Sequence, residues 1–529
     1  MANNSQALLK PATKSKTALD DDAQLRSLGK RPRLNRSFGF MSILGFSCSA
    51  LLSWEGALVT SVPGLLNGGP AGVIWGFLIN WAGTISVYAA LAELASIAPT
   101  TGGQYHWVAI LAPESCRNFL VYITAWLTTI AWQAMAVSTG YIIATMLQGT
   151  VVLAQPTYVP TSWQTVLIIW GAVLSAVVIN STTGRALARF EGIVLILHLA
   201  GFFGVLVPLV YLAPHNDART VFTTFVNEGG WPTQAMSFFV AFPSLATSLV
   251  GADCAVHMSE EIQSASLVVP RALMYTVLIN GSLAFAMIIA LMFCLTDLPS
   301  ALGAAETTFY PFLQVFSAAV GPSGACVMAG IVLVLAIASG VSIYASASRM
   351  LWSFSRDGGL PFHRHLVKVS NNEYLLSQTS LPVAAILATL AITMLLSLVA
   401  LGSTVALNAL LSLVIAALYS SYLLVCCLLL WRRTTGRILP HISGADTLDL
   451  GYLSWGLWRI REPLGTVNNV IAVLYSILLL FWSFWPPTTP TTVETANWSI
   501  LVFGSVVVFS VLWYLLRARY YFKGPIKEA

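Results

Sequence analysis

The 529-residue sequence predicts an all-α membrane protein with twelve transmembrane helices, and three observations carry that prediction. Hydrophobic residues make up 57% of the chain, charged residues only 9%, and the mean hydropathy is +0.77, whereas a water-soluble chain carries about 25% charged residues. Apolar stretches of roughly 18 or more residues recur with scarcely a charge in them, as membrane-spanning helices require. Lys and Arg, finally, are distributed one-sidedly about those stretches. No short alternating pattern points to a β-barrel.

The spans run over about 38–62, 71–97, 117–150, 162–182, 189–213, 234–258, 269–296, 322–354, 381–400, 404–431, 465–486 and 497–518. The third and eighth exceed the roughly 20 residues needed to cross, so they tilt or project beyond the bilayer. With the N-terminus inside, 25 of the 26 Lys and Arg residues fall on one face and only Arg219 on the other. Basic residues concentrate in cytoplasmic loops, so both termini are expected in the cytoplasm. Residues 1–37, with Asp20, Asp21 and Asp22 among scattered basic and hydroxyl residues, read as a disordered tail rather than a cleaved signal. The membrane domain spans 38–518, and residues 519–529 form a short cytoplasmic tail.

The net charge of +5 reflects this inward bias and does not suggest nucleic acid. Seven cysteines lie in or beside spans without metal-ligand spacing, so they read as small packing residues, and no metal or cofactor is expected. Asn497-Trp498-Ser499 is a sequon pressed against the last span. No Gly-rich phosphate loop with a following Lys, metal-binding His/Glu pair or sizeable soluble domain is present, which argues against an enzyme and an ATP-driven pump.

Charges inside the membrane then stand out, because an ionised side chain at the bilayer centre costs at least ~2.5 kcal/mol and usually faces a cavity or a partner. Glu55 in the first span and Asp253 in the sixth are the notable acids, and His198 in the fifth is the notable base. The bland reading is that each packs as a hydrogen-bonded neutral group. Against it, Trp54-Glu55-Gly56 and Gly251-Ala252-Asp253 each set a glycine near an acid, and glycine lets the backbone leave the helix. The first and sixth spans begin the two halves of a five-plus-five arrangement. In transporters built from inverted repeats, helices interrupted at matching positions expose backbone groups at midplane, where ions and substrates bind.

Four stretches taken together are similar to a known group: SWEGALVTSVPGLLNGGPAGVIWG, LAELASIAPTTGGQYHWVAILAP, VGADCAVHMSEEIQSASLVVPRAL and SASRMLWSFSRDGGLPF. In this order and spacing, over residues 34–518, the chain resembles the amino acid, polyamine and organocation (APC) superfamily and, within it, the fungal amino acid/choline transporter family. The resemblance implies a LeuT-type fold, ten helices in a 5+5 inverted repeat plus two peripheral ones. It sets Trp54, Glu55 and Gly56, with Ser53 just before them, where bacterial members have a Gly-Ser-Gly break that holds the substrate's carboxylate and ammonium; only the third glycine is kept here. Thr247, Ser248 and Gly251 fall at the corresponding break of the sixth span, with Asp253 just beyond. His198 falls where proton-coupled bacterial members carry a lysine, and a histidine ordinarily titrates near pH ~6.5.

The expectation is a secondary active permease importing amino acids or small amines such as choline or GABA, coupled to a proton through Glu55 and His198. Glu55 is expected to face the central cavity, with Trp54 and Trp132 as cation-π walls; Trp126 reads as a packing or anchoring residue. Glu93, Arg349, Arg356 and Asp357 are expected in cytoplasmic ion pairs, and Glu260 and Glu261 as helix caps. The expected partners are a small-molecule substrate, a proton and the lipid bilayer, most naturally the plasma membrane. The alternative is a non-transporting nutrient sensor with the same fold.

Overall fold

In lipid every backbone N–H and C=O needs an internal partner, and a helix supplies one within its own segment. The computed structural model describes residues 16–181, 184–369, 381–440, 453–493 and 495–528, and these are helical apart from loops and one short parallel ladder, β1 (Ile438–Leu439) on β2 (Leu453–Ser454). Helix α1 (Lys16–Ser27) precedes the bundle. Helices α2 (Phe40–Leu51) and α3 (Ser53–Val59) share the first span, and α4 (Ser61–Ile97) holds the second. Helix α5 (Gln104–Leu111) leads into α6 (Arg117–Ala154), α7 (Ser162–Asn180) and α8 (Gly184–Leu212). After α9 (Ala218–Thr223), the sixth span is divided into α10 (Gln234–Thr247) and α11 (Cys254–His257). Helices α12 (Ala265–Cys294), α13 (Leu298–Thr308), α14 (Pro311–Arg356), α15 (His363–Leu366), α16 (Val383–Ser397), α17 (Val399–Gly402), α18 (Thr404–Thr434), α19 (Leu464–Trp482) and α20 (Ser499–Leu516) complete the chain.

Eleven segments among the described residues are long and apolar enough to cross a membrane. The twelfth expected crossing is the α10–α11 pair: α10 has only 14 residues, about 21 Å at 1.5 Å per residue, short of a hydrocarbon core of about 30 Å. The expected span starts at 71 and 322 coincide with real kinks. Gly69 (φ 63°) precedes Pro70 inside α4, and Gly321 (φ 74°) precedes Pro322 inside α14. Proline removes a backbone donor and the glycine takes up a conformation that L side chains resist, so each pair ends one helical piece and starts the next.

The first span lies at the centre of the bundle, 89% buried over its most apolar window, while α20 is 11% buried and faces outward. Helix α14 packs on α6, and α4 packs on α10 and α12.

The terminal segments depart from the expectation of a free N-terminal tail over 1–37. Residues 1–15 lie outside the described residues, but from Asp20 onward the segment is docked. The Asp21 carboxylate accepts the backbone N–H groups of Ser264 (2.7 Å) and Ala265 (3.3 Å), the start of α12. Lys30 pairs with Asp357, and Phe38 exchanges backbone hydrogen bonds with Glu261 and Gln263. The C-terminal residues join the same face: Glu528 N–H donates to Gly29 O at 2.7 Å, and its carboxylate takes Arg356 at 2.8 Å and Arg33 at 2.9 Å. These charges read as a solvated tail in sequence because their partners lie hundreds of residues away.

Candidate functional site

Both interruptions inferred from the sequence exist, but the first is displaced. Leu52 takes the left-handed conformation (φ 45°, ψ 50°) and separates α2 from α3. A left-handed non-glycine residue costs roughly 1–2 kcal/mol. Gly56 is already inside the new helix, its N–H donating to Leu52 O at 2.7 Å. Its missing side chain serves a contact instead: a Cβ there would sit 3.3 Å from the Ser248 Cβ, where the first and sixth spans meet. In the sixth span the break falls at Gly251, whose φ of +115° only glycine adopts freely. The unwound backbone is satisfied by one side chain, Tyr88. Its hydroxyl accepts from Gly251 N (3.0 Å) and Ala252 N (3.3 Å) and donates to Leu249 O (3.0 Å).

A cavity of about 640 Å³ lies between the two breaks. Leu51, Leu52 and Gly56 line it from the first span, Thr247, Ser248 and Val250 from the sixth, Ser138 and Thr139 from α6, Ser339 from α14, and Asn408 and Ser412 from α18. It extends to Trp482, Trp485 and Trp498 around the α19–α20 loop, on the side opposite the termini. Among the described lining residues there is no Asp, Glu, Lys, Arg or His.

Six hydroxyl hydrogens of this wall point away from the cavity. Ser138 donates to Ala134 O, Thr139 to Met135 O, Ser244 to Ala241 O, Thr247 to Pro243 O, Ser248 to Leu245 O and Ser412 to Asn408 O, each within its own helix. A hydroxyl has one hydrogen and two lone pairs, so these six present acceptors to a ligand, while Tyr141, Asn408, Trp482 and Trp485 on the same wall carry O–H and N–H donors. The six hydroxyls receive N–H and O–H donors.

Of the nine expected substrate residues, Gly56, Thr247 and Ser248 line the cavity; Ser53, Trp54, Glu55, Trp132, Gly251 and Asp253 do not. Glu55 turns its back on the cavity. It is fully buried, and its Oε1 lies 2.8 Å from His198 Nδ1 of α8. The two groups proposed from sequence for proton handling, 143 positions apart, therefore form one pair. The second oxygen of Glu55 and His198 Nε2 have no hydrogen-bonding partner among the described residues. Gly56, on the other side of α3, forms the cavity wall, so the pair stands directly behind it.

Trp54 packs against His198 and Phe202 at ring distances of 6.1 and 6.0 Å, and Trp132 lies edge-on to His257 at 5.2 Å. Neither walls the cavity; the tryptophans that do belong to the outer loop, where composition alone reads them as interfacial anchors. Trp126 packs against Phe354 and Phe509, as expected. Ser53 donates to Asn280 O at 3.0 Å.

Asp253 belongs to a separate cluster on the terminus side of the break. Gln104 donates to its Oδ2 at 2.6 Å, and His257 Nε2 stands 3.7 Å from the same oxygen. Because Thr101 O, a pure acceptor, lies 2.9 Å from His257 Nδ1, that nitrogen carries hydrogen. The Thr100–Gln104 turn thus clamps the sixth span just past its break. Further toward the termini the expected ion pairs occur with identified partners: Arg349 with Glu261 (2.9 Å), Arg356 with Glu260 (2.8 Å), Arg433 with Glu93, and Lys30 with Asp357. Glu260 and Glu261 are therefore ion-pair partners rather than mere caps.

Sequence reasoning passes over Glu191 altogether. Beside Arg189 at the edge of a span it looks interfacial, yet it is fully buried between α2, α8 and α14, bonded to Ser49 and Ser342.

Comparison with known proteins fits this geometry. Residues 38–506 match the amino acid permease family model. A choline transporter of Saccharomyces cerevisiae is 28% identical over 491 residues, covering 92% of this chain and 82% of its own. An uncharacterized amino-acid permease of Schizosaccharomyces pombe is 27% identical over 515 residues, with 97% and 86% covered. Amino-acid permease 2 of Neurospora crassa is 26% identical over 515 residues, with 96% and 90% covered. A central cavity between two interrupted spans and a family match over most of the sequence lead to one conclusion: the chain belongs to the amino acid permease family of the APC superfamily, and is a multi-pass membrane transporter rather than an enzyme.

Proposed function

We propose that this protein is a secondary active permease that imports an amino acid or a small amine across the plasma membrane, driven by a proton and working by alternating access, with both termini in the cytoplasm. The observation that carries the substrate class is the acceptor-rich hydroxyl wall: six hydroxyl hydrogens are spent on helix carbonyls, leaving lone pairs for an ammonium group. The aromatic rings at the mouth, Trp482, Trp485 and Trp498, add cation-π attraction worth up to ~2 kcal/mol when desolvated. The names of the yeast and Neurospora relatives agree with an amine or amino acid.

Coupling rests on the Glu55–His198 pair. A neutral histidine donating Nδ1–H to a carboxylate leaves the pair at one negative charge, and a second proton, on Nε2 or on the free carboxyl oxygen, makes it neutral. Movement that parts α3 from α8 breaks the Glu55–His198 contact and gives the pair a step at which a proton is taken up or released. The ion pairs on the terminus side support closure of that side in this conformation.

The test is uptake into vesicles with an imposed proton gradient, using labelled choline, GABA and neutral amino acids. Accumulation above equilibrium of at least one compound, abolished by collapsing the gradient, is the expected result. No uptake of any compound, with specific binding retained, would favour the sensor.

A further inference from the structure

Glu191 is a buried carboxyl that the account above does not use. Its Oε1 lies 2.9 Å from Ser342 Oγ of α14, its Oε2 lies 3.0 Å from Ser49 Oγ of α2, and the two hydroxyls are 2.7 Å from each other. These three contacts close a ring. Each needs one hydrogen, and two serines bring two. Ser49 is also 3.3 Å from Phe46 O, which only adds a claimant for those hydrogens. With an ionised Glu191 one edge of the ring would press lone pair against lone pair at 2.7 Å. A hydrogen on the carboxyl completes all three edges: Glu191 donates to one serine, that serine to the other, and the second back to the carboxyl.

We propose that Glu191 is a second proton-binding site of this transporter, protonated in the conformation described and free to ionise when α2 and α14 separate from α8. The proposal deepens the proton-coupled reading above and rests on it for the transport consequence, though not for the protonation state. No Lys, Arg or His among the described residues bonds to the carboxyl. Arg189 on the same helix is exposed, and His198 is engaged by Glu55. Of the other ionisable groups nearby, the Cys48 thiol of α2 turns to Thr276, Cys254 stands at the start of α11, and the Tyr344 hydroxyl of α14 donates to Ile386 O. None of these supplies a cation to balance a buried carboxylate.

The ring is mechanically tied to the cavity. Ser49 precedes the Leu52 break by three residues, and Ser342 lies one helical turn after Ser339, which lines the cavity and approaches Ala50 O at 3.4 Å. Opening the ring leaves an unpartnered carboxyl that either gains water and loses its proton or reverts. Substrate-linked movement of α2 and α14 is thereby linked to proton release from α8.

Two readouts on the purified full chain in lipid test this. Infrared titration should show a protonated-carboxyl band at neutral pH that is missing in E191Q and shifted in S342A, which removes one hydrogen-bond partner without touching the acid. In vesicles with a trapped pH dye, wild-type protein given choline, GABA or alanine outside should acidify the lumen. E191Q should lose that acidification by about tenfold or more while keeping counterflow exchange within about twofold. Absence of the band from wild type, or wild-type acidification by E191Q, overturns the proposal. Uptake by wild type without any acidification removes the proton-coupled reading instead, and the band still decides the protonation of Glu191.

Discussion

The two sides of the interrupted helices are made of different material. Toward the loop between α19 and α20 the walls are hydroxyls, amides and aromatic rings, with no acidic or basic side chain among the described lining residues. Toward the termini the chain is crossed by ion pairs, Arg349–Glu261, Arg356–Glu260–Glu528, Lys30–Asp357 and Arg433–Glu93, largely buried. The difference teaches how each side holds its state. A hydroxyl wall whose hydrogens are internally satisfied is equally content wet or dry, so it stays open to a ligand at little cost. Ion pairs in a partly dry setting are strong only while complete, and removing one partner strands the other. They suit a gate that is either shut or broken.

The largest effect should come from breaking the shut side. R356A leaves Glu260 and the docked Glu528 without their cation, and loss of one partner of a buried pair costs about 3–5 kcal/mol. The expected result is a population shift toward terminus-side access, read as increased labelling of that side by an impermeant reagent, with a lower melting temperature. E528Q should do much less, because the Glu260 carboxylate still holds Arg356 at 2.8 Å. It would release the C-terminal segment to protease without altering cavity access. Burial raises the Glu528 carboxyl, but hydrogen bonds and charge from Arg356 more than offset this and hold it down to about 2. Its contribution is therefore full above an unfolded value of roughly 4.3 and lost as pH falls through about 2. Docking should not change between about pH 5 and pH 8.

Next in size is E55Q, which keeps the shape of the pair and removes the carboxylate on which the proposed coupling rests. Concentrative uptake should fall by about tenfold or more, the equivalent of roughly 1.4 kcal/mol of coupling, with its dependence on external pH flattened. Binding at equilibrium should change less, since Glu55 does not touch the cavity. A selective loss of binding with coupling intact would mean the side chain reaches the substrate after all.

A smaller effect belongs to His106 in α5, on the shut side. Burial, together with the neighbouring cations Lys30 and Arg356, pushes its imidazole down to about 3 from an ordinary value near 6.5. The unfolded chain binds this proton below 6.5 and the folded one does not, so stability falls as pH drops from 6.5 toward 3. H106N should flatten that part of the pH–melting curve, and an unchanged slope would assign it elsewhere.

How much of this was legible in the sequence varied by physical cause. Span positions follow from apolar length, and Gly69-Pro70 and Gly321-Pro322 mark kinks because both residues act locally. Glu55, Asp253 and His198 stood out as costly charges, but only the fold shows that Glu55 pairs with His198 and Asp253 with Gln104. The break at Leu52 left no trace, since a leucine held left-handed is imposed by its surroundings. The cavity wall was equally silent, because serines and threonines on helices are common and their hydrogens reveal direction only in three dimensions. Glu191 hid behind Arg189, and the docked termini hid behind the ordinary expectation that charged tails are solvated.

The central claim is that the space between the two interrupted spans opens to one side at a time. Thr247, at the end of α10, is exposed to that space and gives the most direct test. With T247C in a background lacking the native cysteines, an impermeant thiol reagent should label the resting protein from the side opposite the termini. After R356A it should label from the terminus side. Labelling that stays one-sided in both proteins, or is absent from both, would contradict the account.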